Sequence, residues 1–210
     1  MRVVGISGSL SANSRTSRLV AHVLAAARQH AGVETELIEI AERRLVFCDG
    51  RRPDLYDGDT RFVIDRIVAA DACVVGSPVY RGSYTGALKN LFDLLPNEAL
   101  RGKPVGLVAT AGSDHHFLAV EHALRPLLSF FQAYTVPGAV YAHNGHFVGE
   151  RLDETTAEQC RLLGDEIVRL AVALGGGAAG PAYPKIERKP GQRPQEEGPA
   201  AHARREAMRL

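Results

Sequence analysis

The chain of 210 residues contains no tryptophan, only three cysteines and no apolar run long enough to cross a membrane. The cysteines are odd in number and lack C-x-x-C spacing, a pattern typical of reduced thiols. No apolar leader precedes the first predicted strand at residue 2, so the sequence predicts a cytoplasmic protein. The formal net charge of +1 favours neither nucleic acid nor a membrane as a partner.

Several familiar motifs are missing as well. The sequence has no G-x-G-x-x-G dinucleotide fingerprint and no G-x-x-x-x-G-K-[ST] phosphate loop. Its first Gly/Ser-rich loop contains no cysteine that could serve as a phosphatase nucleophile. The histidines at positions 115, 116, 122, 143 and 146 do not follow the spacing of metal ligands, so no metal site is predicted.

What the sequence does contain is a hydroxyl-rich loop at the start of a predicted helix, in the stretch VVGISGSLSANSRTSRLV. The first backbone N–H groups of a helix lack intrahelical partners and carry partial positive charge, which favours an anion. The loop therefore predicts a phosphate site, although a serine-capped helix after an ordinary turn is the alternative interpretation. The candidate phosphate ligands are Ser9, Ser14, Arg15, Thr16 and Ser17.

Short apolar runs alternate with longer helical periods, which indicates an α/β protein with a parallel sheet. The second strand alternates with glutamates and is expected at a sheet edge. Right-handed crossovers then predict a flavodoxin-like three-layer sandwich with a five-stranded parallel sheet of order 2-1-3-4-5. This domain is predicted over 1–176, followed by a flexible Pro/Gly-rich, charged tail over 177–210. Strands are predicted near 2–7, 33–40, 71–77, 104–110 and 135–141, and helices near 14–31, 60–70, 84–95, 115–131 and 153–174.

Two further loops are expected at the carboxyl edge of this sheet. GSPVYRGSY follows the third strand, and TAGSDHH follows the fourth. Small residues let the backbone approach a flat ring closely, so that backbone amides can bond its heteroatoms. Each loop alone is also compatible with a simple Gly/Pro turn. Together with the first loop, they predict a ligand crevice on one rim.

Three segments carry a resemblance to a known family: GISGSLSANSRTS, GSPVYRGSYTGALKNLFDLLP and ATAGSDHHFLAVEHALRPLL. The chain resembles the NADPH-dependent FMN reductases over about residues 2–174. Within that family it is most similar to the flavin reductase components of two-component alkanesulfonate or methanesulfonate monooxygenases. The resemblance implies bound FMN, with its phosphate on the first loop. It implies that the ring lies against Pro78, Val79, Tyr80 and Arg81 on one side and Thr110, Gly112 and Ser113 on the other.

The resemblance also implies a homodimer or homotetramer built on the third and fourth helices. The apolar residues of helix 84–95 are more numerous than one sheet-facing stripe needs. Together with the resemblance this favours an isologous interface, and deep burial within one subunit is the alternative interpretation. Related reductases often have a tyrosine at a π-bulge where this chain has His122. That departure leaves two interpretations of His122: a functional residue or a polar interface residue.

The function predicted on this basis is reduction of FMN by NADPH or NADH, with reduced flavin passed to a monooxygenase. Hydride transfer between stacked cofactors needs no protein acid, so no catalytic residue is predicted. The alternatives are a quinone, azo or chromate reductase that retains FMN, and a flavodoxin-type electron carrier, which the near-zero net charge disfavours. Nicotinamide preference stays open, since five arginines could meet a 2′-phosphate or simply be solvated: Arg43, Arg44, Arg51, Arg52 and Arg81.

Overall fold

The structure of the protein is a computed structural model that describes residues 1–177 and 180. The tail predicted for 177–210 lies outside the described residues, apart from Gly177 and Gly180. None of the helices in the described part is long and apolar enough to cross a membrane.

The centre of the fold is a parallel sheet in the order β2-β1-β3-β4-β5. Its long strands are β1 (Arg2–Ser7), β2 (Glu34–Glu39), β3 (Ala72–Pro78) and β4 (Pro104–Thr110). Every residue of β3 and β4 is buried, because helices cover both faces of the central strands, whereas β2 is partly exposed at the edge. The predicted flavodoxin-like strand order is confirmed.

The fifth strand is divided into two short pieces, β5 (Tyr134–Thr135) and β6 (Val140–Ala142), and both pair in parallel with β4. The sequence analysis predicted one strand over 135–141. Pro137 has no N–H to donate to the ladder, and Gly138 adopts a positive φ of 78°. These two residues therefore interrupt the pairing between the pieces.

Helices pack on both faces of the sheet and form two apolar cores. One face is covered by α1 (Arg15–Ala27) and α5 (Glu154–Leu174). The other face is covered by α2 (Gly58–Val68), α3 (Gly86–Leu94) and α4 (Arg125–Phe130). The arrangement is the predicted three-layer sandwich.

The segment before α4 departs from a regular helix. The sequence predicted one helix over 115–131, but the structure has a 3₁₀ turn at Asp114–His116 and a π-helical turn at Val120–Leu124 ahead of α4. The π-bulge implied by the family resemblance is therefore confirmed. His122 lies within it and is exposed.

The sequence analysis did not predict a small antiparallel hairpin between β6 and α5. A 3₁₀ turn at Asn144–His146 leads into β7 (Phe147–Val148), which pairs with β8 (Arg151–Leu152). Strands of two residues are too short to show an alternating pattern in the sequence.

The wide apolar surface of α3 is covered within one chain. Leu88, Leu91, Phe92, Leu94 and Leu95 are each at most 5% exposed. Deep burial within the subunit therefore explains the number of apolar residues on this helix. Their number does not by itself indicate an interface, and the homo-oligomer stays a prediction.

Candidate functional site at the carboxyl edge of the sheet

The candidate site lies where three neighbouring strands end. β1, β3 and β4 are adjacent and parallel, and they end at Ser7, Pro78 and Thr110. Ligands of open α/β sheets bind outside the carboxyl ends of such strands, at the point where strand order reverses. The three predicted loops begin at these residues, so the structure brings all three to one rim.

The first loop ends in a capped helix. The Ser14 side chain accepts a hydrogen bond of 3.0 Å from the Ser17 N–H and caps α1. The amides of Arg15 and Thr16, at the first two positions of the helix, belong to the turn that lacks intrahelical partners. Ser14, Thr16 and Ser17 are buried, while Arg15 is exposed. This geometry is suited to a phosphate group.

Several hydroxyls of this loop are bonded to neighbouring protein groups. Thr16 Oγ1 lies 2.7 Å from Thr110 Oγ1, and Ser17 Oγ donates to Ser7 Oγ at 2.8 Å. Ser9 Oγ accepts from the Ser11 N–H at 3.2 Å. These bonds fix the loop against the sheet. Direct contact of these hydroxyls with phosphate stays a prediction.

Gly8 allows the first loop to lie directly against β3 and α3. Its N–H donates to Gly76 O at 2.8 Å, and Thr85 Oγ1 donates to Gly8 O at 2.6 Å. A Cβ at position 8 would lie only 2.8 Å from Leu88 Cβ. A side chain would therefore push the loop away from its two anchors.

The second loop forms one side of the predicted ring site. Pro78 is buried at the end of β3, and the Val79 N–H donates to Thr110 O at 2.7 Å. Tyr80 and Ser83 exchange backbone hydrogen bonds of 2.8 and 3.2 Å around a tight turn. Arg81 lies in this turn with φ 55°, a conformation that costs a non-glycine residue about 1–2 kcal/mol.

The third loop is held from the side of β6. Tyr141 Oη donates to Ser113 O, and burial raises the pKa of this phenol. His143 Nε2 lies 2.7 Å from Asp114 Oδ1. Thr110 is buried, whereas Gly112 is exposed. The loop is therefore fixed at Ser113 and Asp114 and leaves Gly112 accessible.

Arg15 contacts a segment that the sequence analysis did not assign to the site. Its Nη1 donates to Asn144 Oδ1, and its guanidinium carbon lies 5.3 Å from the centre of the Phe147 ring. The sequence analysis did not assign Tyr141 and His143 to the site either. Their position along the chain was the available signal. Tyr141 lies near the end of the fifth strand and the others follow it, and the carboxyl end of that strand faces the same edge.

Each of the three loops also exposes a large apolar side chain. Leu10 is 64% exposed, Tyr80 59% and Phe117 56%. Of these, the sequence analysis identified only Tyr80. An anion site at a helix start combined with exposed apolar groups on the same rim fits a ligand that joins a phosphate to a flat aromatic ring, as FMN does.

Three of the five arginines that could meet the 2′-phosphate of NADPH make contacts with neighbouring side chains. Arg51 pairs with Asp49, and hydrogen bonding from Arg51 holds the pKa of that carboxyl well below its usual range. Arg52 pairs with Asp54 at 2.7 Å, and Arg43 stacks over Phe62 at 4.8 Å. These contacts favour a surface role for these three residues, while Arg81 is exposed within the second loop.

Known proteins that are similar to this chain include flavin reductases. Residues 1–147 match the family described as NADPH-dependent FMN reductase. The chain is 41% identical to an NAD(P)H-dependent FAD/FMN reductase of Geobacillus thermodenitrificans, over 84% of this chain and 97% of that protein. It is 43% identical to an NADH-dependent FMN reductase of Pseudomonas putida, over 68% of this chain and 77% of that protein. The apo crystal structure of an NADH:FMN oxidoreductase superposes with a TM-score of 0.72 at 28% identity, covering 89% of this chain and 99% of that one. The chain belongs to the NADPH-dependent FMN reductase family.

Proposed function

We propose that the protein reduces FMN with NADH or NADPH at the carboxyl edge of the sheet and releases reduced FMN to a flavin-dependent monooxygenase. The observation that carries the proposal is the pairing of a capped helix start beside Arg15 with an exposed apolar rim. Phosphate is assigned to the first loop, and the ring to the two loops after β3 and β4. The proposed FMN contacts are Ser9, Ser14, Arg15, Thr16, Ser17, Pro78, Val79, Tyr80, Arg81, Thr110, Gly112 and Ser113.

When both cofactors are bound, the chemistry is hydride transfer from nicotinamide C4 to flavin N5. The protein's own contribution is to hold and orient the two rings. The backbone bond from Val79 to Thr110 O fixes the distance between the two ring loops. No side chain is assigned a proton transfer, because the hydride step needs none.

The nicotinamide nucleotide shares the open rim in this proposal, since the sequence offers it no dinucleotide fingerprint of its own. Tyr80 and Arg81 are exposed in the loop after β3 and are the groups proposed to meet it. Either nicotinamide is proposed as the donor, because the similar proteins include NADH-dependent and NAD(P)H-dependent reductases.

We further propose a cytoplasmic homodimer or homotetramer that associates through α3 and α4. Support comes from a groove between these helices, lined by apolar and polar side chains together, in which Phe130 is 49% exposed. The proposed monooxygenase partner is supported by the family resemblance and by the open rim, from which a reduced flavin could leave.

The test is a steady-state assay of the purified protein with FMN and either nicotinamide, followed at 340 nm. We expect loss of absorbance that depends on added FMN, and a colourless preparation before FMN is added. No loss of absorbance with either donor would contradict the proposal. A yellow preparation that reduces a quinone or an azo dye while retaining its FMN would assign the protein to that activity instead.

A further inference from the structure

The turn after β6 contacts the start of α1 at the predicted phosphate site. Arg15 donates from Nη1 to the side-chain oxygen of Asn144, and its guanidinium lies over the Phe147 ring. The two contacts restrict a side chain that is otherwise exposed. Arg15 is therefore held in one position by residues far from it in sequence.

The turn that holds Arg15 is itself fixed. The Gly145 N–H donates to His143 Nδ1 at 3.0 Å, and the His143 N–H donates to His146 Nδ1 at 3.0 Å. Phe147 packs against the core between the sheet, α1 and α5 and pairs with Leu152 in the hairpin. Asn144 thus presents its oxygen from a rigid support.

The side chain that Asn144 offers to α1 is neutral, whereas a nearby contact to the same helix is charged. Arg18, one turn further along α1, pairs with the carboxylate of Glu150, in the turn between β7 and β8, at 3.1 Å. A carboxylate neutralises its arginine, whereas the neutral amide of Asn144 leaves the full positive charge of Arg15 available for a phosphate. A guanidinium has five N–H groups in a fixed fork, so one bond to Asn144 leaves donors for a second acceptor.

We propose that Asn144 is a positioning residue that holds Arg15 ready for the phosphate of FMN and so favours FMN over riboflavin. The proposal rests on the proposed function, because it assumes that the flavin phosphate lies at the start of α1. A long side chain that is already held loses less rotamer freedom when its ligand binds. Asn144 acts through Arg15 and contributes no chemistry of its own.

The experiment compares the dissociation constants of FMN and riboflavin for three variants. N144A should raise that of FMN about three- to tenfold, the range expected for releasing one long side chain, and leave that of riboflavin unchanged. N144D keeps the oxygen but adds a negative charge beside the phosphate, so it should weaken FMN binding more than N144A does. The matched control is E150Q, which alters the neighbouring exposed pair and should change neither constant.

Three outcomes would overturn the proposal. One is a dissociation constant of FMN that is unchanged or lower in N144A although Arg15→Ala raises it. This outcome would leave the proposed function intact. Another is an equal rise for FMN and riboflavin in N144A, which would indicate a general structural role. The third is weaker binding in N144A than in N144D. A failure of the proposed function is distinguished separately, since the wild-type protein would then oxidise neither nicotinamide in the presence of FMN.

Discussion

The two ends of the candidate site are built differently. At the proposed phosphate end, Ser14, Thr16 and Ser17 are buried and bonded to neighbouring groups. At the proposed ring end, Tyr80 and Gly112 are exposed, although the loops that carry them are fixed by contacts of other residues. The comparison indicates that one end is prepared before the ligand arrives, while the other stays accessible.

This difference suits a flavin that is exchanged. A prepared anion site lowers the ordering cost of binding, so the phosphate can supply much of the affinity. An accessible ring end leaves room for a second planar ring to stack on the first. If the ring were enclosed by protein, neither the nicotinamide nor the departing flavin would have a path.

Replacing Gly8 at one end and Gly112 at the other should give the largest difference in the free energy of unfolding. Gly8→Ala places a Cβ 2.8 Å from Leu88 Cβ, so we expect a loss of about 1–3 kcal/mol in the free energy of unfolding from overpacking. FMN binding should weaken with it, because the first loop shifts. The matched variant is Gly112→Ala, whose Cβ meets no atom within 4 Å and should change stability by less than about 0.5 kcal/mol. Urea denaturation measures both, and equal losses would remove the contrast.

Binding of FMN and of riboflavin, which lacks the phosphate, can also distinguish the two ends. Arg15→Ala should raise the dissociation constant of FMN about tenfold to a hundredfold, as expected for one lost charge-assisted hydrogen bond, and spare riboflavin. Tyr80→Ala should weaken FMN and riboflavin alike, by about two- to tenfold, since it removes only an aromatic contact with the ring. Flavin fluorescence titration measures all four constants. Arg15 is excluded from the phosphate site if its variant binds FMN as the wild type does.

A smaller effect is expected for the hydroxyl pair that joins the two ends. Thr16→Val and Thr110→Val should each cost about 1–2 kcal/mol of unfolding free energy, because each leaves the other buried hydroxyl without this partner. The double variant should cost less than the two single losses added together, since both partners are then apolar. Strict additivity in this double-mutant cycle would show that the two hydroxyls do not interact.

The strand order could be predicted from the sequence because its signals are local. Apolar runs mark β3 and β4 as covered strands, and glutamates mark β2 as an edge strand. Parallel strands with right-handed crossovers then leave few possible orders. The same reasoning brings the three Gly/Ser-rich loops to one edge, where the structure has them.

The contacts of Arg15 could not be predicted in the same way. Arg15 and Asn144 are 129 residues apart, and nothing in the local pattern of either segment refers to the other. The β7–β8 hairpin that supports the turn is too short to leave a periodic signal. The width of the apolar face on α3 could not distinguish burial within one subunit from an interface for a related reason, since burial depends on the whole fold and not on one helix.

The interruption of the fifth strand determines where Asn144 lies. Paired residues of β4 and β5 differ by 30 in number, as Pro104 and Tyr134 do, whereas those of β4 and β6 differ by 32, as Val108 and Val140 do. The break thus inserts two residues, an even number that keeps every later side chain on its original face of the sheet. A strand rises about 3.3 Å per residue, so an uninterrupted strand would carry Asn144 about 7 Å beyond its present position along the strand direction. Pro137 and Gly138, which belong to none of the three site loops, thereby set the reach of the turn that meets Arg15.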